Sequence, residues 1–131
     1  MKGLDTNVLV RLLVADDAGQ ANRALRYVGR ECSAERPCLI NRVVLCELVW
    51  VLEGTYGFGR DEISAAMEKV LRTAEFAVED AEAAWAGVHA YGRQRADYAD
   101  AVIAFGNQAQ GCERTATFDR RAGRLDGFEA I

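Results

Sequence analysis

Apolar residues along this chain fall into short bursts and into longer stretches spaced by three and four, a pattern of strands alternating with helices. Residues 2–4 predict a short strand ending at Asp5, after which Thr6 and Asn7 turn into an apolar helix over 8–14. Asp16 and Asp17 break that run and offer a cap for a helix carrying Ala21, Ala24, Leu25 and Val28 on one face. Pro37 marks a boundary before a buried strand at 38–40, and Asn41 can cap a helix over 42–55. After a glycine loop, Asp61 opens a helix with Ile63, Ala66, Met67, Val70 and Leu71 aligned. A strand at 76–78, a helix from Asp80 bearing Ala81, Ala84, Trp85 and Val88, a helix over 97–110 and a strand at 114–117 complete the series. Strands kept apart by helices cannot close hairpins. The expectation is therefore an α/β fold, three-layer α/β/α with a central parallel sheet covered on both faces. No repeat, linker or low-complexity stretch interrupts the chain, and 131 residues suit a single domain, 1–131.

One position resists this pattern. Glu47 stands inside V-V-L-C-E-L-V-W-V-L, ten residues of which nine are apolar. Such a run is a helix buried on nearly all sides or a long interior strand, and either setting obliges the carboxylate to find a partner. An unpaired ionised carboxylate removed from water costs at least several kcal/mol, by the order-of-magnitude penalty for a buried charge. Three more acids, Asp5, Asp100 and Asp119, stand at ends of predicted apolar elements.

Composition narrows the chemistry. Half the chain is hydrophobic, and the formal net charge of −4 argues against a strongly basic coat for nucleic acid, though not against a local patch. No stretch reaches the roughly 18 apolar residues a membrane span requires, and the start M-K-G-L-D-T-N reads as mature protein. The four cysteines form no C-x-x-C pair and no zinc spacing. Cys46 is a small hydrophobe of the buried run. The spacing of Cys32 and Cys38 permits a disulfide, but a reduced, cytoplasmic protein is the simpler expectation. His89 is the sole histidine, in an alanine-rich helical stretch, and Ser33 and Ser64 are the only serines, a poor basis for a Ser-His-Asp triad. G-T-Y-G-F-G at 54–59 lacks the Lys-Ser/Thr of a phosphate loop and reads as a connection between helices.

In an open parallel sheet, ligands gather beyond the carboxyl ends of the strands. Asp5 and Asp119 follow strands, Asp100 lies in the first turn of its helix, and Glu47 comes one and a half turns into the helix after the second strand. The four acids can therefore meet in one pocket. Oxygen ligands without His or a Cys cluster select a hard ion, Mg²⁺, with Mn²⁺ as a substitute. Each acid also has a duller account: Asp5 as a helix cap, Asp119 as a turn residue, and either Asp97 or Asp100 as the cap of its helix. The cap is assigned to Asp97, because Asp100 directly precedes the apolar run A-V-I-A-F.

Taken together, G-L-D-T-N-V-L-V, L-C-E-L-V-W-V-L, D-Y-A-D-A-V-I-A and T-A-T-F-D-R-R resemble the PIN-domain ribonucleases, and more narrowly the VapC-type toxins of type II toxin–antitoxin pairs. Each motif alone is weak; the four in this order, spanning nearly the whole chain, are specific. The resemblance implies that Asp5, Glu47, Asp100 and Asp119 are the metal-binding and catalytic acids. It places Asn7 and Thr117 beside the site, with Asp97 in support. It also implies hydrolysis of RNA phosphodiester bonds, leaving a 5′-phosphate and a 3′-hydroxyl, a homodimer, and a small antitoxin as partner. Arg42, Arg93, Arg95, Arg120 and Arg121 are candidate RNA contacts, with solvated arginines as the plainer reading. Rival classes fit less well. A receiver domain needs an acidic pair after its first strand and a late lysine, whereas this chain has D-T-N and no lysine after Lys69. A haloacid-dehalogenase-like phosphatase wants an acid where Asn7 stands. A housekeeping RNA-processing nuclease, or a non-catalytic RNA- or protein-binding module on the same fold, remains the alternative.

Overall fold

Asp5 opens the first helix, α1 (Thr6–Leu13), its Oδ1 accepting the Thr6 N–H at 2.8 Å in the computed structural model, which describes residues 1–131. Asp17 does the same for α2 (Ala18–Glu31), accepting the Gln20 N–H at 3.0 Å. Asn41 caps α3 (Arg42–Gly54) through the Val44 N–H at 3.0 Å. These short polar side chains satisfy amide groups that a helix start leaves without a partner. Helix α4 (Arg60–Arg72) begins differently: Gly59 precedes it, and Glu62 reaches back to accept the Gly59 N–H at 3.2 Å.

Strand β1 (Cys38–Ile40) pairs in parallel with β2 (Phe76–Val78), Leu39 facing Ala77. On its other side Leu39 bridges Gly3, taking the Leu4 N–H at 3.0 Å and giving its own to Lys2 at 2.7 Å. The strand expected at 2–4 thus exists as a single parallel bridge. The chain's contacts divide it into two compact units, Met1–Glu79 and Asp80–Ile131. In the first, α3 packs against α1 and α4, and Leu9, Leu45, Leu48, Leu52, Ile63 and Met67 are essentially sealed from water. Each such side chain contributes about 1.5–3 kcal/mol of burial.

The second unit holds α5 (Ala81–Arg93), α6 (Tyr98–Ala109), β3 (Thr115–Thr117), a 3₁₀ turn (Ala122–Arg124) and β4 (Phe128–Ala130). Helices α5 and α6 pack closely at Gly87, where a Cβ would stand 3.0 Å from the Tyr98 ring and 3.1 Å from Val102. The buried Tyr98 hydroxyl donates to the Ala84 carbonyl at 3.4 Å. Strand β4 runs parallel to β3, Ala116 facing Glu129. The architecture is α/β, with six helices and parallel strand pairing in each unit.

Three expectations are corrected. Cys32 and Cys38 form a disulfide, because the end of α2 returns to the start of β1 with Cα atoms 5.3 Å apart; the reduced reading does not describe this structure. Helix α3 is not buried on all sides: Val43, Glu47 and Trp50, spaced four and three apart, form an exposed stripe. Glu47 therefore escapes the burial penalty inferred from its apolar neighbours. Leu25 faces solvent too, leaving Ala24 as the buried residue of α2. The 3₁₀ turn and β4 were not anticipated, since 121–131 shows no usable periodicity and β4 buries only Phe128. No helix is long and apolar enough to cross a membrane.

Candidate functional site

In the first unit the D-T-N segment and α3 meet through one hydrogen bond. The Thr6 hydroxyl, 8% exposed, donates to Glu47 Oε1 at 3.0 Å. Although Glu47 is exposed, its side chain is thus anchored by a buried hydroxyl beside Asp5. Thr6 was not among the sequence candidates. Its signal was the hydroxyl between Asp5 and Asn7, legible only once α3 is known to pack on α1. Asn7 lies exposed in the first turn of α1. Arg42, a candidate RNA contact, is engaged locally: its Nε and its backbone N–H donate to the same Glu79 oxygen at 2.9 and 3.0 Å. Those bonds, the backbone one foremost, hold the Glu79 carboxyl below the usual range.

In the second unit Asp97 is the N-cap of α6, its Oδ1 accepting the Asp100 N–H at 3.1 Å, the role the sequence assigned to it. Asp100 is half-buried in the first turn. Burial, followed by the negative charges of Asp97 and Asp119, pushes its carboxyl up. Asp119 follows β3, and its N–H donates to Thr117 Oγ1 at 3.0 Å. One of its carboxylate oxygens accepts the Arg121 and Ala122 N–H groups at 2.7 and 3.2 Å. The turn-residue account of Asp119 is therefore also correct. Thr117 works through the Asp119 backbone and so sets where that side chain leaves the strand. Arg93 ends α5, Arg95 adopts a left-handed backbone at φ 56° before α6, and Arg120 and Arg121 follow Asp119; all four are exposed.

Asp5 and Glu47 thus belong to one unit, and Asp100 and Asp119 to the other. Within either unit, no three His, Cys, Asp or Glu side chains are gathered so as to hold a metal ion. The donor chemistry nevertheless fits a hard divalent cation. All four candidates offer carboxylate oxygen, and Asp100 is crowded by like charge in a partly dehydrated position, an imbalance a cation would relieve. Among curated proteins and among solved structures, no match to the chain was found. The sequence model of the PIN domain matches residues 3–127, nearly the full length, so the chain belongs to the PIN domain family, whose members are generally nucleases.

Proposed function

We propose that this protein is a metal-dependent endoribonuclease acting as the toxin of a type II toxin–antitoxin pair. The observation that carries this reading is the family match over 3–127, with all four acids of the resemblance present in order. Asp5, Glu47, Asp100 and Asp119 are the proposed ligands of Mg²⁺, with Mn²⁺ as a substitute. When bound, the ion would activate a water for in-line attack on an RNA phosphodiester and neutralise charge growing on the phosphate oxygens. Thr6 holds Glu47 in one orientation, the Asp97 cap fixes the backbone from which Asp100 projects, and Thr117 fixes that of Asp119. Asn7 and Thr117 support the site, and Arg93, Arg95, Arg120 and Arg121 supply charge toward the RNA backbone, with Arg42 reduced by its tie to Glu79.

Homodimerisation is part of the proposal. The apolar face of α4 is committed to the core through Ile63, Met67 and Val70, whereas Trp50 and Val43 on α3 are more than half exposed and free to serve an interface. The proposed cellular setting is the cytoplasm, as the toxin reading implies.

The test is incubation of the purified chain with total RNA, with EDTA, Mg²⁺ or Mn²⁺, followed by end mapping. Cleavage that needs the ion and leaves 5′-phosphates is the expected result. Undiminished cleavage in chelator would remove the metal mechanism, and no cleavage with either ion would leave a binding module. Growth arrest on expressing the chain alone, relieved by the neighbouring small open reading frame, distinguishes a toxin from a housekeeping nuclease.

A further inference from the structure

Phe118 stands 84% exposed, more than any other large hydrophobic side chain except the terminal Met1. Leaving a phenylalanine in water forgoes nearly all the burial that normally places it in a core. The exposure follows from the strand register. Thr115 and Thr117 turn to the half-buried side, so Ala116 and Phe118 turn outward. The backbone around the ring is fixed on both sides. Thr117 accepts the Ile131 N–H at 3.0 Å, the Asp119 N–H is bound to Thr117 Oγ1, and the Asp119 carbonyl takes the Gly123 N–H at 2.9 Å. The ring makes no contact with another ring or with a guanidinium.

Residues 114–124 around it hold four arginines and one acid, Asp119, with Glu113, Asp126 and Glu129 flanking. Arg114, Arg120, Arg121 and Arg124 lie within eleven residues, all exposed and none in a salt bridge, in a protein of net charge −4. An isolated aromatic face among arginines is what unpaired nucleic acid requires: stacking for a base and cations for its phosphates. A protein interface would instead gather a wider apolar patch depleted of charge. In the second unit the other exposed large hydrophobics are Ile103, on α6, and Ile131.

We propose that Phe118 is a base-stacking platform for single-stranded RNA, holding one unpaired base beside Asp119. This deepens the nuclease reading and rests on it: Phe118 is a positioning residue that places a nucleotide next to a proposed metal-ligating acid.

The experiment uses the full chain carrying Asp100→Asn, in which cleavage should be suspended, with Mg²⁺. The probe is a ten-nucleotide single-stranded RNA bearing one 2-aminopurine at successive positions. Quenching at one position is expected, with affinity roughly 5- to 150-fold weaker and quenching lost in Phe118→Ala. Phe118→Trp should keep both. In the cleaving chain Phe118→Ala should raise KM by a similar factor and change kcat less. Unchanged affinity, quenching and KM in an alanine variant of a chain that still cleaves RNA would overturn the stacking role and leave the nuclease reading standing. Dissociation of a homodimer or antitoxin complex, with RNA affinity intact, would assign the ring to protein contact and also overturn it. If the unsubstituted chain neither binds nor cleaves RNA, both inferences fall together.

Discussion

Asp100 is unusual among the acids because its surroundings oppose its charge. Its folded pKa lies above the unfolded value, through burial first and then Asp97 and Asp119. In the window between the two values the folded state binds more protons, so stability falls as pH rises through it. At neutral pH the ionised group therefore destabilises the metal-free protein. Asp100→Asn should match or exceed the parent's stability in EDTA and lose nuclease activity by orders of magnitude, and its gain from saturating Mg²⁺ should shrink. Thermal melts with and without Mg²⁺, paired with an RNA cleavage assay, read both effects. Were Asp100 merely a favourable charge at a helix start, the asparagine would cost roughly 0.3–1 kcal/mol and activity would survive. Ser64 presents a different residue-scale case: its hydroxyl is buried in α4 with no hydrogen-bond partner. Ser64→Ala removes an unsatisfied group and improves helix propensity, and should stabilise by about 1 kcal/mol in a urea melt.

At the scale of elements, β1 is the shared strut. Leu39 bonds to the segment that leads into Asp5, Ile40 leads through the Asn41 cap into the helix bearing Glu47, and Cys38 is tied to α2 by the disulfide. The bridge closes a loop of six residues' separation, for which chain entropy predicts about 2 kcal/mol. A Cys32→Ser, Cys38→Ser variant should lose about that much in a denaturant titration yet remain folded, because Ile40 and the α3 core stay sealed. Loss of all cooperative unfolding would show that the disulfide, not the core, holds β1. The α5–α6 contact predicts the reverse kind of sensitivity. At Gly87 even a methyl group meets Tyr98 and Val102, so Gly87→Leu should destabilise by about 1–3 kcal/mol or more through overpacking, again read from denaturant melts.

For the whole molecule, charge is the property that bears on function. A chain of net charge −4 cannot attract RNA by bulk charge, so binding should rest on a few local arginines. If Arg93, Arg95, Arg120 and Arg121 with one neighbour meet phosphates, the slope of log K against log salt should be shallow, no steeper than about −3.5. Titrations of single-stranded RNA at several salt concentrations measure it. A much steeper slope would mean that cations outside this set dominate.

The element order was legible because its determinants are local: Asp17, Asn41 and Asp97 cap the helices they were expected to cap, and the strands at 38–40 and 76–78 fall where the apolar bursts lie. The last eleven residues were not legible, since a 3₁₀ turn and a three-residue strand with one buried side chain leave no period to read. Of the candidate site, the sequence by itself determined which acids exist and at what spacing, and it separated the Asp97 cap from Asp100. Only the tertiary structure decided what each side chain faces. An apolar run implied a buried Glu47, yet the packing of α3 on α1 and α4 left that stripe in solvent and supplied Thr6, 41 positions away, as its hydrogen-bond partner. The same holds for Cys32 and Cys38, whose spacing permitted a disulfide that the return of α2 onto β1 made. Capping and periodicity act within a few residues. Burial, partners and pKa depend on contacts between distant segments, which the spacing of residues along the chain does not specify.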